Sequence, residues 1–144
     1  MSTYEYPRPA FTADVVVFRD VNGVRKVLLI QRRFEPFAGM WALPGGFLDE
    51  WELPEDAARR ELAEETGIVW DGPLVLVGIF GKRDRDPRGW TVSAVYVAEL
   101  GERRVDVQAG DDAGEVRWFP ADALPVLAFD HEEVMAMALS MASG

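Results

Sequence analysis

The sequence predicts one α/β domain. Short runs of β-branched and aromatic residues, such as residues 12–19 and 91–99, are bounded by turn residues and predict strands. Two other segments, at residues 54–66 and 131–141, carry apolar residues at helical spacing. The chain has 144 residues, 49% of them hydrophobic, and contains no repeat or linker. We therefore expect residues 1–144 to form a single domain around one core.

The first third of the chain predicts a hairpin followed by a short strand. Strands are expected over residues 12–19 and 26–31, and the Asn22-Gly23 pair between them favours the positive φ angles of a tight hairpin turn. After a loop, residues 41–44 predict a short strand that leads into Gly45-Gly46. Two successive glycines allow a sharp bend and a close approach to a ligand, so we expect a bend there.

A helix is predicted over residues 54–66. Pro54 suits the first helical turn, and Gly67 is a natural C-terminal stop. Three further strands are expected, over residues 74–80, 91–99 and 115–119.

The last predicted element is a closing helix over residues 131–141. Val134, Met137, Ala138 and Met141 recur at helical spacing and form its expected buried stripe. Met135 falls off that stripe, so we expect it nearer the surface. His131, the single histidine, is expected to start this helix or to pack in the core.

Composition excludes several classes of protein. The formal net charge of −10 argues against non-specific binding of nucleic acid. No apolar run approaches the length of a membrane span, and the N-terminus lacks a signal pattern, so we expect no membrane partner. The chain has no Cys, which fits a cytoplasmic location and leaves oxygen atoms as the expected metal ligands.

Three acids cluster on the first helix. At about 100° per residue, Glu65 lies about 40° from Glu61, and Glu64 lies about 60° from Glu61 on the other side. Leu62 and Ala58 fall within about 60° of Glu65, so Glu65 borders the buried stripe. Acids crowded at such a margin repel one another unless a cation lies among them, which predicts a divalent-metal site. The alternative is an ordinary solvated helix face, since Glu is a good helix former.

The residues around these acids resemble a known family. Gly46, five residues, Glu52, seven residues and then Arg60–Ile68 (RELAEETGI) resemble the complete signature of the Nudix hydrolases. Two positions depart from the common pattern: Trp51 stands where Gly is frequent, and Leu53 where a capping Ser or Thr is common. The resemblance implies the Nudix fold, an α/β/α sandwich around a mixed β-sheet, and a metal-dependent pyrophosphohydrolase.

The same resemblance implies roles for the residues of the signature. Arg60 would orient Glu61 through a charge-assisted bond, and Glu52 would join the outer metal shell or fix the loop. The general base would be an acid of the signature or an acid on a later loop. On that loop Asp112 is the candidate, beside Asp111 and Glu115. The alternative is that the later loop is only a solvated acidic loop. The implied ion is Mg²⁺ or Mn²⁺. Glu61, Glu64 and Glu65 would hold the ion directly or through water, and a carbonyl oxygen of Gly45 or Gly46 would add a ligand.

Substrate choice is expected to depend on the loop 81–90, GKRDRDPRGW. Arg83, Arg85 and Arg88 are candidate phosphate ligands, and Trp90 offers a face for a base or ribose. The alternative is a solvated loop closed by a turn at residues 86–89. Together with PRPAF, GDDAGEVRWF and FDH, the RDPRGW segment resembles the ADP-ribose pyrophosphatase branch of the family. That likeness implies cleavage of ADP-ribose to AMP and ribose 5-phosphate.

Two alternatives remain at this point. A Nudix enzyme of the same class could act on a nucleoside triphosphate, a dinucleotide or a sugar nucleotide. A protein of another class would bind ADP-ribose as a sensor without cleaving it; such sensors carry a winged-helix domain after the Nudix fold, and we expect none before the last residue, Gly144. The expected partner is a small-molecule nucleotide, and a homodimer is a family expectation.

Overall fold

The computed structural model describes residues 5–142 of the chain. The strands are β1 (Ala10–Val21), β2 (Val24–Arg32), β3 (Trp41–Ala42), β4 (Gly45–Phe47), β5 (Val75–Phe80), β6 (Thr91–Glu99) and β7 (Ala113–Pro120). The helices are α1 (Pro54–Thr66) and α2 (His131–Ala142). Within the described residues, neither helix is long and apolar enough to cross a membrane.

The strands form one mixed sheet with a helix on each face. The order is β3-β2-β1-β6-β5, with β4 paired to β1 and β7 paired to β2. β1 and β6 run parallel, and the other pairs are antiparallel. Because side chains alternate along a strand, Val15 and Val17 face the cluster around α1, whereas Val16 and Phe18 face the cluster around α2. The expected sandwich around a mixed sheet is confirmed.

The hairpin at the start of the chain is confirmed. Val21 and Val24 pair across it, and the two residues between them, Asn22 and Gly23, have φ angles of 51° and 80°. Positive φ at both central residues suits the right-handed twist of the flanking strands. The first strand is longer than expected because its pairing with β6 continues back to Ala10.

The expected bend at Gly45-Gly46 is wrong, because both residues lie in β4. Gly46 pairs with Ala13 and Gly45 pairs with Asp14 on β1. A Cβ on Gly45 would come within 2.5 Å of the Ala13 carbonyl oxygen, and one on Gly46 would lie 2.6 Å from the Glu61 carboxyl carbon. Both positions therefore require Gly because a side chain would clash with β1 at Gly45 and with Glu61 at Gly46, and not because the chain turns there.

Helix α1 has the bounds expected from the sequence. Leu53 precedes Pro54 without a side-chain cap, as its apolar side chain requires. Gly67 ends the helix at φ 81° and donates its N–H to the Ala63 carbonyl at 3.0 Å. Ala57, Ala58 and Leu62 are fully buried against the sheet.

The predicted inner face of α2 is wrong in part. Met135 is 1% exposed, whereas Met137 and Met141 are 46% and 42% exposed. Val134, Met135 and Ala138 make the buried face. On a helical wheel Met135 lies about 60° from Ala138, so this face is as continuous as the predicted one. Packing against the sheet decides which of the two faces is buried, and the sequence of the helix alone does not reveal that packing.

Candidate active site

An open cleft of about 430 Å³ lies where β1, β2 and β4 meet α1 and the loop 81–90. The buried acids Asp14, Glu61 and Glu65 line this cleft. Cationic and aromatic side chains line it as well. They include Arg32, Arg33, Phe34, Arg85, Arg88 and Phe129. The cleft therefore brings both signs of charge together in one small volume.

Glu65 is the most deeply placed acid of the predicted metal set. It is 9% exposed, and its Oε1 accepts the N–H of Gly45 at 2.7 Å. Burial raises the pKa of Glu65 to about 9, and the neighbouring Glu61 and Asp14 carboxylates add to that effect. Burial also raises the pKa of Glu61, although Arg60 opposes it. Glu61 and Glu65 are thus held where their charge is poorly solvated.

Asp14 is a cleft residue that the sequence reasoning missed. It is 7% exposed on β1, and its pKa is raised to about 7 by burial, which the nearby Arg85 partly offsets. One signal was present: a lone acid within the apolar strand sequence ADVVVF. Its pairing with Gly45, whose N–H donates to Glu65, brings Asp14 near Glu65. We call the part of the cleft with Asp14, Glu61 and Glu65 the acidic corner.

This corner fits a divalent cation by its chemistry. Oxygen ligands are those that Mg²⁺ and Mn²⁺ prefer, and an ion there would relieve the repulsion among buried carboxylates. Among the residues that the structure describes, no three acidic or histidine side chains converge closely enough to form a metal site by themselves. Other oxygen donors, such as the backbone of Gly46, would have to contribute.

Glu64 lies outside the cleft, although it shares the Arg60 guanidinium with Glu61. Its side chain is 58% exposed, does not line the cleft, and pairs with Arg60 Nη1 at 3.2 Å. The structure thus brings Glu61 and Glu65 into the cleft with Gly45 and Gly46, and leaves Glu64 outside it.

Arg60 joins the helix to the loop that precedes it. Its Nη1 donates to Glu61 Oε1 at 2.7 Å, and its Nε and Nη2 donate to the two oxygens of Glu52 at 2.8 and 2.9 Å. Nη2 also donates to the Phe47 carbonyl at 3.0 Å. The Arg60 bonds, with the Asp49 N–H, lower the pKa of Glu52 to about 2. Glu52 therefore faces Arg60 and fixes the loop, and it does not line the cleft.

Trp51 adopts the conformation that explains why Gly is frequent at its position. Its φ is 66°, in the left-handed region, and its side chain is 95% exposed. The turn around it is closed by the Glu52 N–H donating to the Asp49 carbonyl at 3.0 Å. Trp51 is thus accommodated in a left-handed turn with its indole exposed to solvent.

The loop 81–90 divides its four predicted substrate residues between two places. Arg85 and Arg88 line the cleft. Arg83 and Trp90 instead line a separate cavity of about 720 Å³ beside the loop. The expected turn at its end is present, because the Gly89 N–H donates to the Asp86 carbonyl at 3.2 Å.

Two aspartates that the sequence reasoning did not select hold the cleft-lining arginines. Asp130 accepts two bonds from Arg85, at 2.7 and 2.9 Å. Asp86 is 5% exposed and accepts bonds from the Arg88 guanidinium at 2.8 and 3.1 Å. Arg88 also lies over the ring of Phe47, with its Cζ 5.0 Å from the centroid.

Of the three acids considered on the later loop, Asp112 lines the cleft. The backbone carbonyl of Asp111 accepts a bond from Arg33 at 3.0 Å, and Glu115 pairs with Arg117 at 2.6 Å. Position thus favours Asp112 as the later-loop candidate.

His131 begins α2, as expected, and also lines the cleft. It is 5% exposed, and its Nδ1 accepts the N–H of Leu43 at 3.1 Å. Burial lowers the pKa of His131 to about 4. The neutral imidazole thus holds the chain two residues before Gly45.

Comparison with known proteins places the chain in a family. A model described as NUDIX domain matches residues 8–138. An ADP-ribose pyrophosphatase of Methanocaldococcus jannaschii is 42% identical over 134 residues, which are 90% of this chain and 73% of that protein. The ADPR responsive transcriptional repressor NtrR of Acinetobacter baylyi is 38% identical over 94% of this chain, which spans only 55% of the repressor.

Structural comparison gives the same result. The NUDIX domain of Shewanella oneidensis NrtR, solved as a complex with ADP ribose, superposes with a TM-score of 0.87 at 36% identity. The match covers 95% of this chain and 90% of that domain. Sequence, fold and the residues of the signature agree, and the chain belongs to the Nudix family of pyrophosphohydrolases.

Proposed function

We propose that this chain hydrolyses ADP-ribose to AMP and ribose 5-phosphate with the help of Mg²⁺, for which Mn²⁺ can substitute. The observation that carries the proposal is the cleft itself, which buried acids and arginines line together. A diphosphate bound there would have its oxygens near a metal ion and near arginines at the same time. The named activity of the Methanocaldococcus relative and the ligand of the Shewanella domain support this choice of substrate.

Glu61 and Glu65 are the proposed side-chain ligands, with a carbonyl oxygen of Gly45 or Gly46 beside them. A bound divalent ion would neutralise diphosphate oxygens and lower the pKa of a ligated water. Arg60 holds Glu61 in place through its 2.7 Å bond. Glu64 lies outside the cleft, so its part would be through an intervening water.

The general base is proposed to be a cleft carboxylate. Asp112 is one candidate, because it lines the cleft without being buried in the acidic corner. Glu65 is the other. Changing Asp112 to Asn separates them: a large fall in kcat with unchanged metal affinity supports Asp112, and a kcat within about threefold of the original assigns the base to the corner.

The proposed binding group for the phosphates is Arg88, which is 42% exposed at the cleft. Its planar guanidinium can bind phosphate oxygens in a bidentate manner. Phe34 is 58% exposed and also lines the cleft. Its ring offers a flat apolar face on which adenine can stack.

A substrate panel tests the proposed function. The protein is incubated with Mg²⁺ or Mn²⁺ and with ADP-ribose, a nucleoside triphosphate, a dinucleotide or a sugar nucleotide, and the products are separated chromatographically. AMP and ribose 5-phosphate from ADP-ribose, at the highest kcat/KM of the panel, are expected. Faster turnover of another member would reassign the substrate within the same reaction class.

A second candidate function is ADP-ribose sensing without cleavage, which the likeness to the repressor favours. Calorimetry with ADP-ribose distinguishes it from the enzyme: saturable binding in Mg²⁺ with no release of AMP over many hours would support a sensor. The presence of Glu61 and Glu65 together in the cleft favours the enzyme. The expectations that the chain does not bind nucleic acid and forms a homodimer remain predictions, open to gel-shift and light-scattering measurements.

A further inference from the structure

The loop 81–90 has few backbone bonds to the rest of the fold. Its internal bonds are local, from the Arg85 N–H to the Lys82 carbonyl at 3.3 Å and at the turn that Gly89 closes. At its far end, the Trp90 carbonyl accepts the N–H of Ala10 at 2.9 Å. Side chains must therefore fix where the middle of the loop lies relative to the cleft.

Arg85 is the side chain that enters the fold. It is 5% exposed, the lowest value for an arginine in any ion pair among the described residues. Its Nε and Nη2 donate to the two carboxylate oxygens of Asp130 at 2.9 and 2.7 Å, and its Nη1 donates to Ser93 Oγ at 2.7 Å. Ser93 Oγ is in turn hydrogen-bonded to the hydroxyl of Thr12 on β1. The guanidinium thus ties the loop to two strands and to the residue before α2.

Arg88 lies three residues further along the loop and is more accessible. The Asp86 carboxylate accepts hydrogen bonds from the Arg88 guanidinium and, at 2.9 Å, from the Arg88 backbone N–H. The guanidinium lies over two rings, with its Cζ 5.0 Å from the centroid of Phe47 and 5.6 Å from that of Phe129. Phe129 adjoins Asp130 in the chain. The pair of Arg85 with Asp130 therefore fixes both the loop that carries Arg88 and one of the rings beneath it.

We propose that Arg85 and Asp130 are positioning residues: their buried ion pair holds the loop so that Arg88 presents its guanidinium to the anionic substrate. Arg85 uses both edges of its guanidinium on the protein and does not itself bind phosphate. This differs from the role expected from the sequence, in which Arg85 and Arg88 were equivalent phosphate ligands. The inference rests on the proposed function only in the choice of ADP-ribose as the assay substrate.

The first test replaces Asp130 with Asn, which keeps the shape and removes the charge. Hydrogen exchange of the amides of residues 81–90 is measured on the protein alone, and KM and kcat are measured with ADP-ribose and Mg²⁺. We expect exchange in the loop to accelerate about tenfold and KM to rise about tenfold or more, with kcat within about threefold of the original. Asp20→Asn, which removes an exposed ion pair with Arg25 in the β1–β2 hairpin, is the matched control and should change none of these.

The second test exchanges the charges in the double variant Arg85→Asp/Asp130→Arg. If the pair acts by anchoring the loop, the double variant should recover at least tenfold in KM over Arg85→Asp alone. Failure of KM to recover while loop exchange returns to normal would overturn the proposal, because Arg85 would then be gripping the substrate itself. If the double variant does not fold, the Asp130→Asn result decides alone.

Two results with Asp130→Asn would overturn the proposal: unchanged loop exchange, or faster loop exchange with unchanged KM. Failure of the proposed function is distinguishable from both. In that case the unaltered protein releases no AMP from ADP-ribose, and KM is measured with whichever member of the substrate panel is cleaved, or the dissociation constant of ADP-ribose is measured if none is. The exchange measurement needs no substrate and holds in either case.

Discussion

His131 makes the stability of this protein depend on pH in a defined window. Its imidazole is buried, accepts the N–H of Leu43 and has a pKa lowered to about 4. In the unfolded chain its pKa returns to the ordinary value near 6.5. Between these values the unfolded chain binds a proton that the folded protein does not bind. The contribution of His131 to stability is therefore fully present above pH 6.5 and is lost as the pH is lowered towards 4.

The magnitude follows from the width of that window. Each pH unit within it corresponds to about 1.4 kcal/mol, so the whole passage removes about 3 kcal/mol of unfolding free energy. This is a large part of the total for a domain of this size, for which about 5–15 kcal/mol is typical. Leu43 lies two residues before Gly45, whose N–H donates to Glu65. Loss of the hydrogen bond between Leu43 and His131 is therefore also expected to loosen the acidic corner of the cleft.

The assay compares urea unfolding of the unaltered protein and of His131→Gln at several pH values from 7.5 to 4. Gln supplies a carbonyl acceptor for the Leu43 N–H but does not titrate. Other shifted groups, such as Asp14 and Glu65, whose pKa values are raised to about 7 and about 9, are common to both proteins and cancel in the difference. The unaltered protein should lose about 3 kcal/mol more than the variant across this range. Parallel curves for the two proteins would refute the reasoning.

Four further substitutions test the cleft and the loop before α1. Glu65→Gln should lower turnover about a thousandfold or more while the circular dichroism spectrum is unchanged, and retention of most activity would remove Glu65 from the metal site. Gly46→Ala brings a methyl group to 2.6 Å from the Glu61 carboxyl carbon, so the metal affinity measured by titration should fall about tenfold. In Gly45→Ala the methyl group meets the Asp14 carboxylate and the Ala13 backbone, and the unfolding free energy should fall by about 2 kcal/mol. Trp51→Gly should leave kcat unchanged and alter the unfolding free energy by no more than about 1 kcal/mol, because Gly relieves the left-handed strain but gains conformational entropy on unfolding. A larger loss of unfolding free energy in urea would show that the indole packs against the protein.

The sequence predicted best where structure depends on neighbours in the chain. The bounds of α1 followed from Pro54 and Gly67, whose local geometry starts and stops a helix. The hairpin followed from Asn22-Gly23 for the same reason. In each case the deciding interaction spans only a few residues, so composition at those positions is sufficient.

Prediction was weakest where contacts are distant in the chain. Asp14 joins the acidic corner only because β1 pairs with β4. Met135 is buried because α2 rests on the sheet with one of two equally apolar faces. Arg83 and Arg85 are two residues apart yet line different cavities, since the direction of each side chain depends on the local turn. None of these contacts can be predicted from the spacing of the residues in the sequence.

The bonds of Arg60 bear on how the signature can vary. The path of the loop before α1 is held by Arg60 on Glu52 and on the Phe47 carbonyl, and by backbone bonds within the loop. None of these uses the side chain at position 51 or 53. Position 51 constrains the backbone through its left-handed φ, but neither side chain is needed to hold the loop, so Trp51 and Leu53 are accommodated with 95% and 66% of their surface exposed. The same two positions are the natural places to attach a dye or a cross-linker beside the cleft without disturbing it.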